Sequence, residues 1–484
     1  MYNSVLQFFE NGIPKLEKEE VSFYESRDIS ALVTGVRQNV TKLECDLIGE
    51  CFDRLDDMIR DDGKRKRLWE IVRLDEKTML TSAGLIKFHK TLYKNKKTGE
   101  RAYLLDKFLD IEKGARMTED AEAKMFCEAS GTSYQRAGEE ISEAEGVSKS
   151  TVKNKLHELV FPSQEPPKEK KTVQYLYIDA DEDHVPLQFY EKKGDIKDSG
   201  NRYNNAIVKL AYVYEGLEPE SPNSKRWKLK EAHYFSGIYE GDDNRKLWDE
   251  IYEYIDGKYD LDSVEKIYLN SDGGSWIKWH KQIFGIVNVL DEYHINKYIT
   301  QMTTHLYDSK DDGAELLRES IRRDSKESFI EKVAMIKRYA EDDRTRERIE
   351  QGLKYIADNW SAAKLRLRRR EGVVGSSTEG HVSHVLASRM SSRPLGWSKI
   401  GADKMGKLRA YIWNKGDILE LVRYQKEKKE TEKVSGEEAI TLTDIEAYIR
   451  KSRGDNGKYF EALQHKVSYQ AAKILAIREG IDNI

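Results

Sequence analysis

Residues 175–185 read Tyr-Leu-Tyr-Ile-Asp-Ala-Asp-Glu-Asp-His-Val. Gln174 to Ile178 predicts a strand that runs into three carboxylates spaced two apart, Asp179, Asp181 and Asp183. Alternate side chains of a strand share a face, so all three can converge, and geometry alone admits each of them as a site residue. His184 to Tyr190 predicts a second strand, Ala206 to Tyr214 a third, and Lys228 to Tyr239 more extended sequence. Leu247 to Tyr259 has a helical period, while Lys266 to Asn270 and Ile286 to Leu290 are short apolar runs of the kind that form buried strands.

Three strands, a helix, a strand, helical sequence and a further strand is the element order of an RNase H-like fold. Downstream, His294 to about Arg370 keeps a helical period with no strand-like run, and a helix opens again near Thr378. Upstream, Val40 to Met58 predicts a helix. Leu80 to Tyr93 and Arg101 to Leu105, joined through Asn95 to Gly99, predict a β-hairpin. The expected class is α+β, with an RNase H-like core interrupted by an all-helical insertion. The expected divisions are an N-terminal helical and hairpin module (1–112), a helix-turn-helix and linker (113–170), the first part of the core (171–300), the helical insertion (301–371), the second part of the core (372–405) and a helical tail (406–484). Gln425 to Gly436 reads as a charged linker within that tail.

Four acidic sites stand where such a core would use them. Asp179, Asp181 and Asp183 end the first strand; Asp272, before Gly273 and Gly274, follows Lys266 to Asn270; Asp291 follows Ile286 to Leu290; Glu379 opens the later helix. Two glycines after a strand-end carboxylate allow close approach of backbone and substrate. Carboxylate oxygens are the hard ligands that Mg²⁺ prefers, and two such ions about 4 Å apart can run phosphoryl transfer without a protein nucleophile. Glu379, His381 and His384 lack the spacing of a zinc-protease helix.

Groups suited to nucleic acid lie on both sides of the core. Tyr134 to Ala144 and Lys149 to Val160 read as helix, turn, helix, with Gly146 as a stop and Ser148 as a cap. Val152, Leu156 and Leu159 make one face of the second helix, leaving Lys149, Ser150, Lys153 and Asn154 for phosphates and base edges. The same pattern also describes an ordinary helical hairpin with a solvated basic face. Pro162, Pro166 and Pro167 stiffen the linker that follows. Arg366, Arg368, Arg369 and Arg370 form a dense cationic run suited to phosphate contact. Trp276 and Trp397 are candidates for stacking on unpaired bases, or for filling a core.

Composition narrows the alternatives. Charged residues make up 35% of the 484 and hydrophobic residues 38%, with a formal net charge of -4, so DNA binding has to come from local patches. Cys45, Cys51 and Cys127 form no ligand pattern and leave an odd thiol, which suits free, mostly buried thiols in a reducing compartment. The first ten residues lack the basic start and apolar stretch of a signal peptide, and no run approaches the ~20 apolar residues of a membrane span. A cytoplasmic, nucleoid-associated protein with no membrane partner is expected.

Taken together, residues 175–185, Ser271 to Gly274, Asp291 to His294 and Ser376 to Val382 closely resemble the ISLre-type insertion-sequence transposases, near the Mutator-like superfamily of DDE transposases. The resemblance covers most of the chain. It implies that Asp181, Asp272 and Glu379 bind two Mg²⁺ ions, with Mn²⁺ able to substitute, and that Asp291 and His294 occupy the family's Cys-or-Asp, two residues, His signature. Asp183, Asp291, His294 and His381 would then support the triad. Where many Mutator-like enzymes follow the first Asp with Gly, this chain has Glu182 and then Asp183. The implied partners are the terminal inverted repeats of an element and target DNA, bound by a homodimer or larger assembly. A silent DNA-binding regulator and a nuclease that cuts without joining are the alternatives.

Overall fold

The computed structural model describes residues 2–142, 145–163, 166–188, 205–282, 285–369, 372–375, 377–393 and 396–433. They fall into two compact units: one takes the described residues of 1–124, 139–147 and 426–484, the other those of 125–138 and 148–425. In the first unit, α1 (Ile13–Ser26) precedes α2 (Ile29–Asp61), whose start is capped by Asp28 accepting from the Ala31 amide. A three-stranded antiparallel sheet follows, β1 (Trp69–Leu80), β2 (Leu85–Asn95) and β3 (Arg101–Tyr103). The expected hairpin is β2–β3, but its first run is cut short, because Thr81 and Gly84 close a turn through the Thr81 amide and hydroxyl. The whole of β1 escaped the sequence reading, since Glu70, Arg73, Asp75, Glu76 and Lys77 give it the look of a loop. Among the cysteines Cys45 is buried, whereas Cys51 and Cys127 are exposed, contrary to the expectation of mostly buried thiols.

The second unit contains α3 (Tyr134–Glu139) up to Gly138 and α4 (Lys149–Glu158), then a five-stranded mixed sheet. Its strands are β4 (Tyr175–Pro186), β5 (Asn205–Tyr214), β6 (His233–Gly237), β7 (Lys266–Ser271) and β8 (Ile286–Leu290), with α5 (Asn244–Lys258) between β6 and β7. In space they run β8-β7-β4-β5-β6; β4, β5 and β6 pair antiparallel, while β7 and β8 run parallel to β4. What the sequence divided into two strands, Gln174–Ile178 and His184–Tyr190, is one strand from Tyr175 to Pro186. Unbroken pairing from Tyr177↔Tyr214 to Pro186↔Asn205 holds its acidic middle extended despite poor strand propensity.

Period-two alternation gives this sheet two unlike faces. Leu176, Ile178 and Ala180 join Ala211, Val213, Ile267 and Leu269 against Leu247, Trp248, Ile251 and Ile255 of α5. Tyr177, Tyr212, Tyr214, Tyr268, Asp179 and Asp181 take the other face, where Tyr177 stacks between Tyr214 and Tyr268 with centroids 5.2 and 5.7 Å away. After β8 come α6 (Glu292–Thr303), α7 (Lys310–Arg323), α8 (Lys326–Lys337), α9 (Asp343–Asp358) and α10 (Trp360–Arg368). Among the described residues 292–369 contain no strand, and these helices share a core around Ile299, Leu317, Phe329 and Ile356. α11 (Thr378–Val382), α12 (Lys399–Trp413) and α13 (Ile418–Lys433) complete the order. α13 turns most of the expected charged linker into helix; the expected final helical segment lies outside the described residues.

Arg366 is the main correction to the cationic run. It is 1% exposed, and it donates to the Leu290 carbonyl at 3.0 Å, to the Val374 carbonyl and to Asn270 Oδ1. A guanidinium packed behind β8 cannot reach a phosphate. Arg368 is exposed and donates to the Arg322 carbonyl, Arg369 is exposed and pairs with Glu292 at 3.0 Å, and Arg370 lies outside the described residues. Removing a buried charged donor leaves its acceptors unpaired, so Arg366→Ala is expected to lower unfolding stability by about 3 kcal/mol or more. Urea denaturation measures this; a loss under about 1 kcal/mol, ordinary for a surface site, would show that the residue is not a structural tie.

Candidate carboxylate centre

The site is built around a carboxylate buried beneath it. Asp179 is wholly buried in β4, and burial pushes its carboxyl pKa up. Four donors offset that cost: Tyr212 and Tyr214 hydroxyls at 2.9 and 3.1 Å, Asn270 Nδ2 at 2.5 Å and Thr378 Oγ1 at 3.2 Å. Asn270 in turn accepts from Arg366. One side chain thus joins β4, β5, β7, the start of α11 and, through Asn270, α10.

Two residues along the same face stands Asp181, half-buried, with the Glu182 amide on Oδ1 at 2.8 Å. Its carboxyl is pushed up to about 7, first by burial and then by the charges of Asp272 and Glu379; His294 eases it. Three acidic side chains from β4, the loop after β7 and α11 therefore share one electrostatic neighbourhood. Asp272 bends its own loop by accepting the Gly274 amide at 2.8 Å, and Gly273 takes a φ of +86° that glycine tolerates. Glu379 is exposed one residue past Thr378, whose tie to Asp179 fixes the start of its helix. Among the described residues no three His, Cys, Asp or Glu side chains are gathered tightly enough to hold an ion between them. In chemistry the donor set fits a hard divalent cation: three carboxylates, one of them costly to ionise without added positive charge.

The flanking residues sort differently. Asp183 accepts from Ser391 Oγ at 2.9 Å, while its other oxygen is buried without a hydrogen-bond partner. Asp291 caps α6 and holds His294 Nδ1 at 3.2 Å, and that hydrogen bond raises the imidazole pKa. His381 lies instead in an aromatic pocket, 4.7 Å from the Tyr212 ring with Nδ1 3.1 Å from the Tyr234 hydroxyl; burial pulls it down to about 4. It is a neutral packing group there. Trp276 is 5% exposed in the α5 core, and Trp397 is equally buried under Arg389, so neither ring is free to stack on a base. Tyr355 of α9 was missed by sequence reading: its hydroxyl donates to the Asp272 carbonyl at 2.6 Å, a contact across 83 residues with no local signal.

On α4, Ser148 accepts the Thr151 amide at 3.2 Å, and Val152 and Leu156 are fully buried. Lys149, Ser150, Lys153 and Asn154 are all exposed. The preceding α3 is shorter than expected, ending at Glu139.

Asp181 gives the cation-free protein a distinctive pH dependence. An unfolded Asp titrates near pH ~4, below the folded value of about 7. The folded state keeps a proton that the unfolded chain has released, so this stability is full at low pH and lost as pH rises from about 4 to about 7. With chelator present, the melting temperature of Asp181→Asn minus that of wild type should climb between pH 5 and pH 8. A difference that stays flat over that range removes the basis for a raised Asp181 carboxyl.

A family model described as an uncharacterised protein family, UPF0236, matches residues 24–429. Two UPF0236 proteins of Caldanaerobacter subterraneus subsp. tengcongensis are each 34% identical over 426 residues, covering 88% of this chain and 85% and 81% of theirs. Another from that genome is 32% identical over 428 residues, covering 88% of this chain and 85% of its own, and its name joins eleven loci. Among solved structures, a Drosophila P element transposase strand transfer complex is similar over 69% of this chain and 83% of that chain, at 11% identity and a TM-score of 0.22, too low to bear on the fold. On the extent of the family match, this chain belongs to the UPF0236 family.

Proposed function

We propose that this protein is a DDE-type DNA transposase with an RNase H-like core. The observation that carries the reading is the placement of Asp181, Asp272 and Glu379, on three separate elements around one mixed sheet, each one or two residues from the hydrogen-bonded network of Asp179. The β8-β7-β4-β5-β6 order, with three antiparallel strands followed by two parallel ones, supports the RNase H-like assignment. Recurrence of a relative at eleven loci of one genome supports a mobile element. No helix among the described residues is long and apolar enough to cross a membrane.

In this reading Asp181, Asp272 and Glu379 hold the metal ions. Two Mg²⁺ ions, or Mn²⁺ in their place, supply activation of a water or 3′-hydroxyl and stabilisation of the leaving oxygen. His294, held by Asp291 and positively biased, orients and shields the carboxylates without ligating, since imidazole suits so hard a cation poorly. Lys149, Ser150, Lys153 and Asn154 of α4 face the terminal inverted repeats as a recognition helix. Joining two ends to target DNA calls for a homodimer or larger assembly.

The test uses the DNA flanking the gene as labelled ends, a target plasmid and Mg²⁺, scored separately for binding, cleavage and joining. Asp181→Asn, Asp272→Asn and Glu379→Gln should each abolish cleavage and joining while binding survives, and Asp183→Asn should stay measurably active. Binding without cleavage by the wild type would favour a silent regulator, and cleavage without joining a nuclease. An active Asp181→Asn with a dead Asp183→Asn would move the site by one strand repeat.

The α4 assignment has its own measurement. Changing Lys149 and Lys153 together to Ala should weaken binding to the ends and reduce the slope of log affinity against log salt by about 2, from two lost phosphate contacts. An unchanged affinity and slope would assign α4 to an ordinary helical hairpin.

A further inference from the structure

We propose that Tyr355 and Asn359 are positioning residues that hold Asp272 where it can share a cation with Asp181 and Glu379, an inference that rests on the carboxylate centre being a cation site. The Asp272-Gly273-Gly274 loop closes its own bend through the Gly274 amide on Asp272 Oδ1, a bond that does not tie the loop to the helices around it, and the Asp272 charge acts on Asp181. The helices after β8 supply the restraint. The Tyr355 hydroxyl, on α9, grips the Asp272 carbonyl at 2.6 Å, and its ring stacks on Tyr298 of α6 with centroids 4.1 Å apart. Asn359, between α9 and α10, closes over the next residue: a Cβ on Gly273 would stand 2.7 Å from its Oδ1. Its Nδ2 donates back to the Tyr355 carbonyl at 3.0 Å, so the two residues form one clamp. Burial and the neighbouring carboxylates raise the Tyr355 pKa, which keeps the phenol protonated and donating.

The clamp gives the helical segment a task beyond bulk. It fixes the backbone of one carboxylate from outside the sheet, as partners of metal ligands do elsewhere, where their loss costs affinity about tenfold or more.

Mn²⁺ binding to the full chain at neutral pH, read from the loss of the free-ion electron paramagnetic resonance signal, tests this without DNA or turnover. Tyr355→Phe keeps the stack on Tyr298 and removes only the donor; it should weaken Mn²⁺ binding about tenfold or more with a near-wild-type melting temperature. Asn359→Ala should act in the same direction, and it carries the test if the first variant does not fold. Tyr339→Phe, at a 72% exposed phenol before α9, should bind as wild type does. Wild-type affinity in both Tyr355→Phe and Asn359→Ala, with Asp272→Asn impaired, would overturn the clamp and leave the cation site standing. No Mn²⁺ binding by wild type, or an unimpaired Asp272→Asn, would overturn the cation site and the clamp together.

Discussion

A buried carboxylate with four donors constrains the rest of this site. Burying a carboxyl without partners costs several kcal/mol, a cost that Tyr212, Tyr214, Asn270 and Thr378 offset by reaching Asp179. Those donors lie on elements that are far apart in sequence; Thr378 is 199 residues away. The requirement couples the antiparallel half of the sheet to its parallel half, and both to the helix that carries Glu379. Arg366 extends the tie through Asn270 to α10 and the last strand, which explains why a residue in a basic run is buried.

From that anchor the candidate chemistry follows by periodicity. Asp181 is two residues beyond Asp179 and so shares its face, nearer the open end of the strand. Glu379 is one residue beyond Thr378. Asp272 is two beyond Asn270. Each acidic residue of the proposed triad thus sits one or two positions from a member of the buried network. Rigidity inside and charge outside are adjacent features of the same strands and helix. Burial, and then the charges of Asp272 and Glu379, raise Asp181, and a divalent cation is the simplest group that would relieve it.

Much of this was legible in the sequence. Alternation placed Asp179, Asp181 and Asp183 on one face, the apolar run before Asp272 marked a strand end, and helical period marked His294 to about Arg370. Ser148 announced its cap, and the solvated face of α4 followed from Val152 and Leu156. What was hidden has a common cause: it depends on partners distant in the chain. Strand β1 gave no strand signal because its charges were visible and its pairing with β2 was not. Residues 179–183 looked like a break between strands until β5 supplied a continuous partner. Arg366 and Trp276 carry side chains that suit DNA in isolation, and only tertiary packing shows them to be interior. Tyr355 had no signal at all, since a tyrosine in a charged helix is unremarkable until its hydroxyl meets a carbonyl from another element.

The central claim is that Asp181, Asp272 and Glu379 form one cation-binding centre. Its most direct test is a crystal of this chain soaked in Mn²⁺ and measured at a wavelength where manganese scatters anomalously. The expected result is anomalous density for one ion or a close pair, with carboxylate oxygens of Asp181, Asp272 and Glu379 together supplying ligands within about 2.3 Å, and with no nitrogen of His294 in the coordination sphere. A peak held by other side chains, or ordered carboxylates with no peak between them at saturating Mn²⁺, would contradict it.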